Sequence, residues 1–132
     1  MRVRSLAAVA VALSAFVLAA CGDEDFENNP RPPAPVSLSA RIGDSGISVG
    51  PDEVGAGLAT ITISNQTADP ATLVLEGPTD ESSDSVVAGG TGSMKVELQE
   101  GDYQVSTSEG AGQTKLTVGP ERESSQNELL LP

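Results

Sequence analysis

The sequence has no histidine and only one cysteine in its 132 residues. Serine–histidine and cysteine–histidine catalysis both need an imidazole base, so this chain has neither. A single cysteine also leaves no pair for an intramolecular disulfide. We therefore predict that the protein is not an enzyme and that it carries no cofactor.

Aromatic residues are nearly absent: the chain has two phenylalanines, one tyrosine and no tryptophan. Tyr103 is the only aromatic residue after position 35. The core must therefore consist of Val, Leu, Ile and Ala, and a domain of this size buries only about two-thirds of its chain surface. We expect modest stability, and we expect no ring platform for a bound sugar.

Basic residues are also few. There are seven against 19 acidic residues, for a net charge of −12. Binding to phosphate backbones needs a basic patch, so we expect no nucleic-acid partner. The acidity suits the solubility of an exported protein.

The amino terminus has the pattern of a secretory signal. A basic start with Arg2 and Arg4 precedes an uncharged apolar run from Leu6 to Ala20. The run is nearer 15 residues than the roughly 20 needed to cross a bilayer. It ends in Leu18-Ala19-Ala20-Cys21.

These four residues resemble, at every position, the lipobox of bacterial lipoproteins, Leu-[Ala/Ser/Thr]-[Gly/Ala]-Cys. The resemblance implies cleavage between Ala20 and Cys21, transfer of a diacylglyceryl group to the Cys21 sulfur and, often, acylation of the new amino terminus with a fatty acid such as palmitate. It implies localisation at the extracytoplasmic face of the cell membrane, with the lipid at Cys21 as the membrane contact. Two or three acyl chains anchor stably, whereas one alone is marginal. The chain from Cys21 onward carries five basic and 19 acidic residues, a net charge of −14.

Three parts follow along the chain. Residues 1–20 are the signal peptide, expected to be helical. Residues 21–35 are the lipidated cysteine and a tether, acidic and then proline-rich, which we expect to be disordered and extended. Residues 36–132 are a β-sandwich domain, and Leu129–Leu131 near its end are expected to pack against another surface.

Apolar and polar residues alternate with period two through the third part. The clearest strands are Val36–Ile42, Leu58–Asn65 and Met94–Leu98. Shorter ones are predicted at Ile47–Val49, Leu73–Leu75, Val86–Val87, Tyr103–Val105 and Leu116–Val118, with turns at 43–46, 55–57, 68–70, 89–90, 100–101 and 110–112. Seven or eight strands at this spacing predict an all-β, antiparallel sandwich or barrel, and we favour a Greek-key sandwich.

Several short sequence motifs in this region resemble those of cupredoxins and occur in the same order. They are Val54-Gly55-Ala56-Gly57, the strand Ile61–Asn65, Pro70-Ala71, Leu98–Tyr103, and Leu116-Thr117-Val118. The resemblance implies a cupredoxin-like fold. An immunoglobulin-like sandwich is the alternative, and regulatory sandwiches of the prealbumin or carboxypeptidase-accessory kind share the Leu-x-x-Gly-x-Tyr phrase.

The resemblance also implies which positions of this sequence would hold the copper ligands. It puts the first histidine position near Ala71, the cysteine position near Thr107, and the other ligands in a loop of about eight residues, Ser108–Lys115. A blue-copper site needs two imidazoles and a thiolate, and none of these positions supplies them. We therefore expect a cupredoxin-like domain without copper, in which Met94 belongs to the core.

Tyr103 resembles the tyrosine of a tyrosine corner, because Leu98-Gln99-Glu100-Gly101-Asp102-Tyr103 places it at the start of a strand. In such a corner the hydroxyl bonds to backbone a few residues upstream. The alternative is a lone, half-buried tyrosine.

Asp80, Glu81 and Asp84 cluster in a serine-rich loop, and carboxylate oxygens suit hard cations. They are weak candidates for a metal site, since the spacing of a calcium-binding loop is absent.

Two functions remain open. The first is a membrane-anchored lipoprotein whose sandwich is a non-catalytic interaction module, contacting another envelope protein or a cell-wall polymer. The alternative is a protein that binds a small ligand or a divalent cation through its acidic loops.

Overall fold

The structure is a computed structural model that describes residues 32–124. The expected signal helix, the lipobox, most of the tether and Leu129–Leu131 lie outside these residues. Residues 32–124 form strands and loops without a helix, and this part of the chain accordingly has no helical segment able to span a bilayer.

Eight strands make up the described fold. In chain order they are β1 (Val36–Gly43), β2 (Gly46–Gly50), β3 (Glu53–Asn65), β4 (Leu73–Glu76), β5 (Glu81–Ser82), β6 (Thr91–Leu98), β7 (Gly101–Thr107) and β8 (Gln113–Glu121). The strands predicted from alternation in β1, β3 and β6 are confirmed. They form because their Val, Ile and Leu residues face inward at every second position.

The long strand β3 belongs to both layers of the sandwich. Its second half pairs with β1 and β6, with β2 beyond β1. Its first half pairs with β8, which continues through β7 and β4 to β5. An all-β sandwich of eight strands is therefore confirmed.

The expected antiparallel pairing holds for five of the seven strand pairs, but β3 runs parallel to both β1 and β8. The β1–β2 hairpin occupies one edge of β1. The chain then crosses over, and β3 lies along the other edge in the same direction as β1. The result is a mixed sheet.

The turn expected at Gly55–Gly57 is also absent, because this stretch lies inside β3. The pairing with β8 shifts register between Gly55 and Ala56, as in a β-bulge. Bulges bend a strand and allow it to pass from one sheet to the other. Glycine is needed here: Gly57 has a φ of +123°, and a Cβ on Gly55 would collide with the Arg122 side chain.

Two short segments also differ from expectation. Val86 forms only an isolated bridge with Ala71, so Val86–Val87 is not a strand. Val86 is buried, whereas Val87 remains 67% exposed. The two-residue strand β5 pairs with β4 and contains only exposed polar residues, so no apolar alternation marked it.

The core is aliphatic, as the composition required, with Tyr103 as its one ring among the described residues. Its members come from both layers: Leu38, Ala40, Ile42, Ala56, Ala59, Ile61, Ile63, Ala71, Leu73, Leu75, Val86, Met94, Val96, Leu98, Tyr103, Val105, Leu116 and Val118. Met94 lies in this core, as expected.

Candidate functional site

One end of the sandwich gathers three loops around a shallow cavity. The β1–β2 turn, the loop after β3 and the loop between β7 and β8 meet there and enclose about 290 Å³. The lining includes Asp44, Thr67, Ala71, Glu109 and Ala111. We call this group of loops the loop end.

The loop end brings together the two positions that the cupredoxin resemblance assigns to copper ligands. Ala71 is 4% exposed and Thr107 is 6% exposed. The segments that carry them are joined directly, because the Ser108 N–H donates to the Thr72 carbonyl at 3.2 Å. A methyl group and a hydroxyl thus occupy the positions where an imidazole and a thiolate would be required.

The Thr107 hydroxyl is committed to its own loop. Its Oγ1 accepts a hydrogen bond of 2.9 Å from the Ala111 N–H, and the Thr107 carbonyl accepts from the Gly110 N–H at 3.1 Å. The side chain therefore closes the turn between β7 and β8.

That turn is shorter than the sequence suggested. Since β8 begins at Gln113, the loop is Ser108–Gly112, five residues rather than about eight. It contains neither histidine nor methionine. The pairing of β7 with β8 extends to Ser106 and Gln113, which leaves no room for a longer loop.

Glu109 ties this loop to the strand beside it. Its Oε2 accepts from the Thr72 N–H at 3.0 Å, and its Oε1 accepts from the Ser108 hydroxyl at 2.6 Å. The bond from Ser108, followed by that from Thr72, lowers the pKa of the Glu109 carboxyl. The carboxylate lies at the rim of the cavity, and both of its oxygens accept hydrogen bonds.

Asn65 organises the loop end from beneath and is 1% exposed. Its Nδ2 donates to the carbonyls of Asp69, Val86 and Val87 at 2.8, 3.0 and 3.2 Å. Its Oδ1 accepts from the N–H and the hydroxyl of Thr67 at 3.0 and 2.7 Å. The sequence marks Asn65 as the end of a strand and as the first residue of an Asn-x-Thr glycosylation sequon, and neither pattern predicts this role.

Tyr103 is 1% exposed at the start of β7. Its hydroxyl oxygen accepts from the Gln99 N–H, four residues upstream, at 3.0 Å, and lies 3.3 Å from Thr79 Oγ1. Gly77 packs on the ring, since a Cβ there would lie 2.8 Å from Tyr103 Cδ1. This is a hydroxyl-to-backbone contact of the tyrosine-corner kind.

None of the three acidic candidates lines the loop-end cavity. Asp80 Oδ1 accepts from the Gly77 N–H at 3.0 Å, which closes its own turn. Glu81 is exposed on β5, and the Asp84 carbonyl accepts from the Ser83 hydroxyl. Within residues 32–124, no three His, Cys, Asp or Glu side chains converge as a metal site would require. Ala20 and Cys21 lie outside the described residues.

A larger cavity of about 470 Å³ lies on the outer face of β4, β7 and β8, and sequence reasoning missed it. Glu76, Gln104 and Lys115 form a row across the three strands. Lys115 Nζ lies 3.0 Å from Asp102 Oδ2, and this hydrogen-bonded partner lowers the pKa of the Asp102 carboxyl. The side chains bond mainly to one another, as in a solvated polar face.

A search of solved structures finds the same architecture elsewhere. Auracyanin B matches with a TM-score of 0.54 and 16% identity, over 70% of this chain and 96% of that one. The fold is cupredoxin-like. The cupredoxin-like assignment also agrees with the order of phrases noted in the sequence.

Two other structures match with lower scores. Lac15 from a marine microbial metagenome has a TM-score of 0.44 at 16% identity, over 70% of this chain and 34% of that one. A chain of a heme-copper terminal oxidase dimer has 0.45 at 18% identity, over 86% and 92%. No protein-family model matches the chain, and no curated protein does.

Proposed function

We propose that the protein is a lipid-anchored, extracytoplasmic lipoprotein. In this proposal its copper-free cupredoxin-like domain is a non-catalytic interaction module of the cell envelope. The interaction role is inferred from the loop end. There, Ala71 and Thr107 stand at the positions that the resemblance assigns to metal ligands, and the loop between β7 and β8 is hydrogen-bonded to itself.

The anchoring rests on the sequence Leu18-Ala19-Ala20-Cys21 after a basic start and an apolar run. The domain it would carry starts soon afterwards, since β1 begins at Val36. A lipid on Cys21 would therefore hold the sandwich near the membrane on a tether of about 15 residues, at most about 50 Å when fully extended.

The non-catalytic role rests on what the loop end offers chemically. Three of its polar side chains are already bonded: Thr107 and Glu109 to neighbouring backbone groups, and the Thr67 hydroxyl to Asn65 Oδ1. The full sequence has no histidine to supply a base or a copper ligand. Loops held in this way suit recognition of a partner surface better than bond-making chemistry.

The partner is another envelope protein or a cell-wall polymer. Residues 32–124 contain 14 acidic and four basic residues, a net charge of −10. Such a surface disfavours contact with anionic lipid headgroups or nucleic acid. It favours a neutral or basic partner, met through loops and exposed strand edges.

The anchoring is tested by Cys21→Ala, with Ser14→Ala in the apolar run as the matched control. We expect the Cys21 variant to be unprocessed or released, and to lose incorporation of labelled palmitate, whereas the control behaves like the parent. Processing and membrane retention of Cys21→Ala like the parent would refute the anchor.

The interaction role is tested by crosslinking in intact cells followed by purification. Glu109→Lys reverses a charge at the rim of the loop end, and Glu76→Lys makes the same change in β4, at a residue that does not line the loop-end cavity, as a control. A specific crosslinked partner lost only with Glu109→Lys supports the module. A partner recovered equally from both variants would exclude the loop end as the contact.

The absence of copper chemistry has a direct spectroscopic test. We expect the purified protein to show no intense visible thiolate-to-copper band after addition of Cu²⁺, since no thiolate lies in the described fold. Appearance of such a band would overturn the copper-free assignment.

The cation-binding alternative gains no support from Asp80, Glu81 and Asp84, whose side chains do not converge. A calcium titration that leaves the melting temperature unchanged is the expected result.

A further inference from the structure

Strand β6 (Thr91–Leu98) is the longest edge strand of the described fold. It pairs with β3 along one side, and no described strand lies along the other. The other edge strands, β2 and β5, have five and two residues. An open edge presents unpaired N–H and C=O groups and is a template for pairing with another strand.

Natural proteins commonly protect such an edge with charged side chains, lysine above all, or with proline, a bulge or an inward-pointing charge. β6 has only the first of these, in Lys95 and Glu97; it has no proline, no bulge and no inward-pointing charge. Its eight residues pair with β3 in unbroken register from Thr91 to Leu98. Met94, Val96 and Leu98 point into the core, and Ser93, Lys95 and Glu97 point outward.

The outer face beside β6 is nearly free of carboxylates, although the domain is strongly acidic. It consists mostly of hydroxyl side chains from β1, β2, β3 and β6: Ser37, Ser39, Ser48, Thr60, Thr62, Ser64, Thr91 and Ser93. Of the 14 acidic residues in the described part, only Glu97 shares this face. Like-charge repulsion is therefore weakest where two copies would meet through β6.

Lys95 differs from the other described basic residues in its contacts. Lys115 pairs with Asp102, Arg41 bonds to Gln66, and Arg122 bonds to backbone carbonyls. No ion pair or hydrogen bond joins the Lys95 side chain to another described residue. Its position opposite Thr60 on β3 supplies no carboxylate.

A second copy related by a two-fold axis would give Lys95 a carboxylate partner. When the axis is perpendicular to the sheet, the two copies of β6 run antiparallel and both cores lie on the same side of the joined sheet. Shifting the pairing of the two strands by two residues keeps the buried side chains of both on the core side, whereas a shift by one residue would not. With Val96 at the axis, Lys95 of each copy lies opposite Glu97 of the other, whereas a register centred on Lys95 puts two lysines opposite each other.

We propose that the occupant of the β6 edge is a second copy of this chain. The two β6 strands pair antiparallel about Val96 and are fixed in register by two Lys95–Glu97 contacts. The pairing joins the two sandwiches into one continuous sheet, with the hydroxyl faces on the same side. It goes beyond the proposed lipoprotein function and does not depend on it.

The strands overlap over only a few residues, so the interface is small and the dimer is weak. Any attachment that confines both copies to one surface would raise their effective concentration and favour the pairing. Each opposite-charge cross-strand pair contributes modestly, and like charges directly opposite are unfavourable.

Charge reversal tests the register. The full chain is purified in non-ionic detergent, and its self-association is measured by sedimentation over three decades of concentration. We expect Lys95→Glu and Glu97→Lys each to raise the dimer dissociation constant about tenfold, because two attractive contacts become repulsive in each case. The double variant should return to within about threefold of the parent. Lys115→Glu, an equal charge change on the other layer, should have no effect.

Photo-crosslinking identifies the occupant in cells. A crosslinking residue at Ser93 should give a dimer of the chain, whereas one at Ser48, on the far strand of the same layer, should not. The proposal is overturned by a parent that stays monomeric throughout, by single variants that leave the dissociation constant unchanged, or by Ser93 crosslinks only to a different protein. Circular dichroism and melting temperature show whether each variant is folded.

Discussion

The N–H of Gln99 donates a 3.0 Å hydrogen bond to the hydroxyl oxygen of Tyr103, four residues later in the chain. The bond closes the connection between β6 and β7 over the only aromatic ring of the described core. It fixes the position of the largest fully buried side chain in the otherwise aliphatic interior of the described fold.

Replacing Tyr103 with phenylalanine tests this bond. The ring remains, but the Gln99 N–H loses its partner, and we expect a loss of about 1–2 kcal/mol in the free energy of unfolding. Chemical denaturation measures it. Thr79→Val, which removes only the longer contact to the same hydroxyl, should cost less; an equal loss would mean that the Gln99 bond contributes nothing.

Asn65→Ala should be more damaging. It removes the amide that joins Asp69, Val86 and Val87, and leaves their carbonyls with fewer partners in a buried site. We expect a loss of about 2–4 kcal/mol. Thr67→Val, which removes one hydroxyl from the same network, is the control and should cost about 1 kcal/mol. Similar stability of Asn65→Ala and the parent would contradict the role assigned to the amide.

Asp102 and Lys115 give the fold a dependence on pH. Because the folded pKa of Asp102 lies below its ordinary value, the contact stabilises the fold above that ordinary value, near 3.8. The contribution disappears as pH falls through the lowered pKa. Both side chains are more than half exposed, so the effect is small.

Lys115→Met should therefore flatten the fall in melting temperature below about pH 4. Lys95→Met removes a cation that has no acidic partner within one copy of the described fold, and at a concentration at which the chain is monomeric it should leave the slope as it is. The same slope in both variants would show that the Asp102 contact makes no difference to folding.

Arg122 joins segments that are far apart in sequence. Its guanidinium donates to the carbonyls of Ala34, Ala56 and Leu58 at 2.8, 3.2 and 2.7 Å. We expect Arg122→Lys to lose about 1–2 kcal/mol, because an ammonium cannot reach three carbonyls in this planar arrangement. Arg41→Lys, at a single exposed contact, should be nearly neutral. Equal stability of the two variants would refute the role of the planar group.

The strands with the clearest alternation could be predicted from the sequence, because one face of each must be buried. Val36–Ile42 and Met94–Leu98 are examples. The bulge at Gly55–Gly57 could not be predicted, since a glycine-rich stretch has the composition of a turn. It is part of a strand here because β3 crosses from one layer to the other. The parallel pairing of β3 with β1 and β8 could not be predicted either, because pairing between distant segments does not affect the local alternation of apolar and polar residues.

The loop end could be predicted only in part. The resemblance placed Ala71 and Thr107 at ligand positions, and the structure brings their segments together. The contacts that hold the loops, from Glu109 to the Thr72 N–H and from Asn65 to three carbonyls, depend on backbone geometry and have no sequence pattern of their own. The polar cavity beside Lys115 was missed for the same reason.

The Arg122 contacts have a mechanical consequence. Ala34 lies two residues before Val36, the first residue of β1, so any tension transmitted along the preceding chain meets the Ala34 carbonyl before it reaches the β1–β3 ladder. Through the guanidinium, part of that load passes directly to Ala56 and Leu58 in the central strand. A pull from the amino-terminal side is thus shared between two strands, and peeling of β1 begins only after this junction has opened.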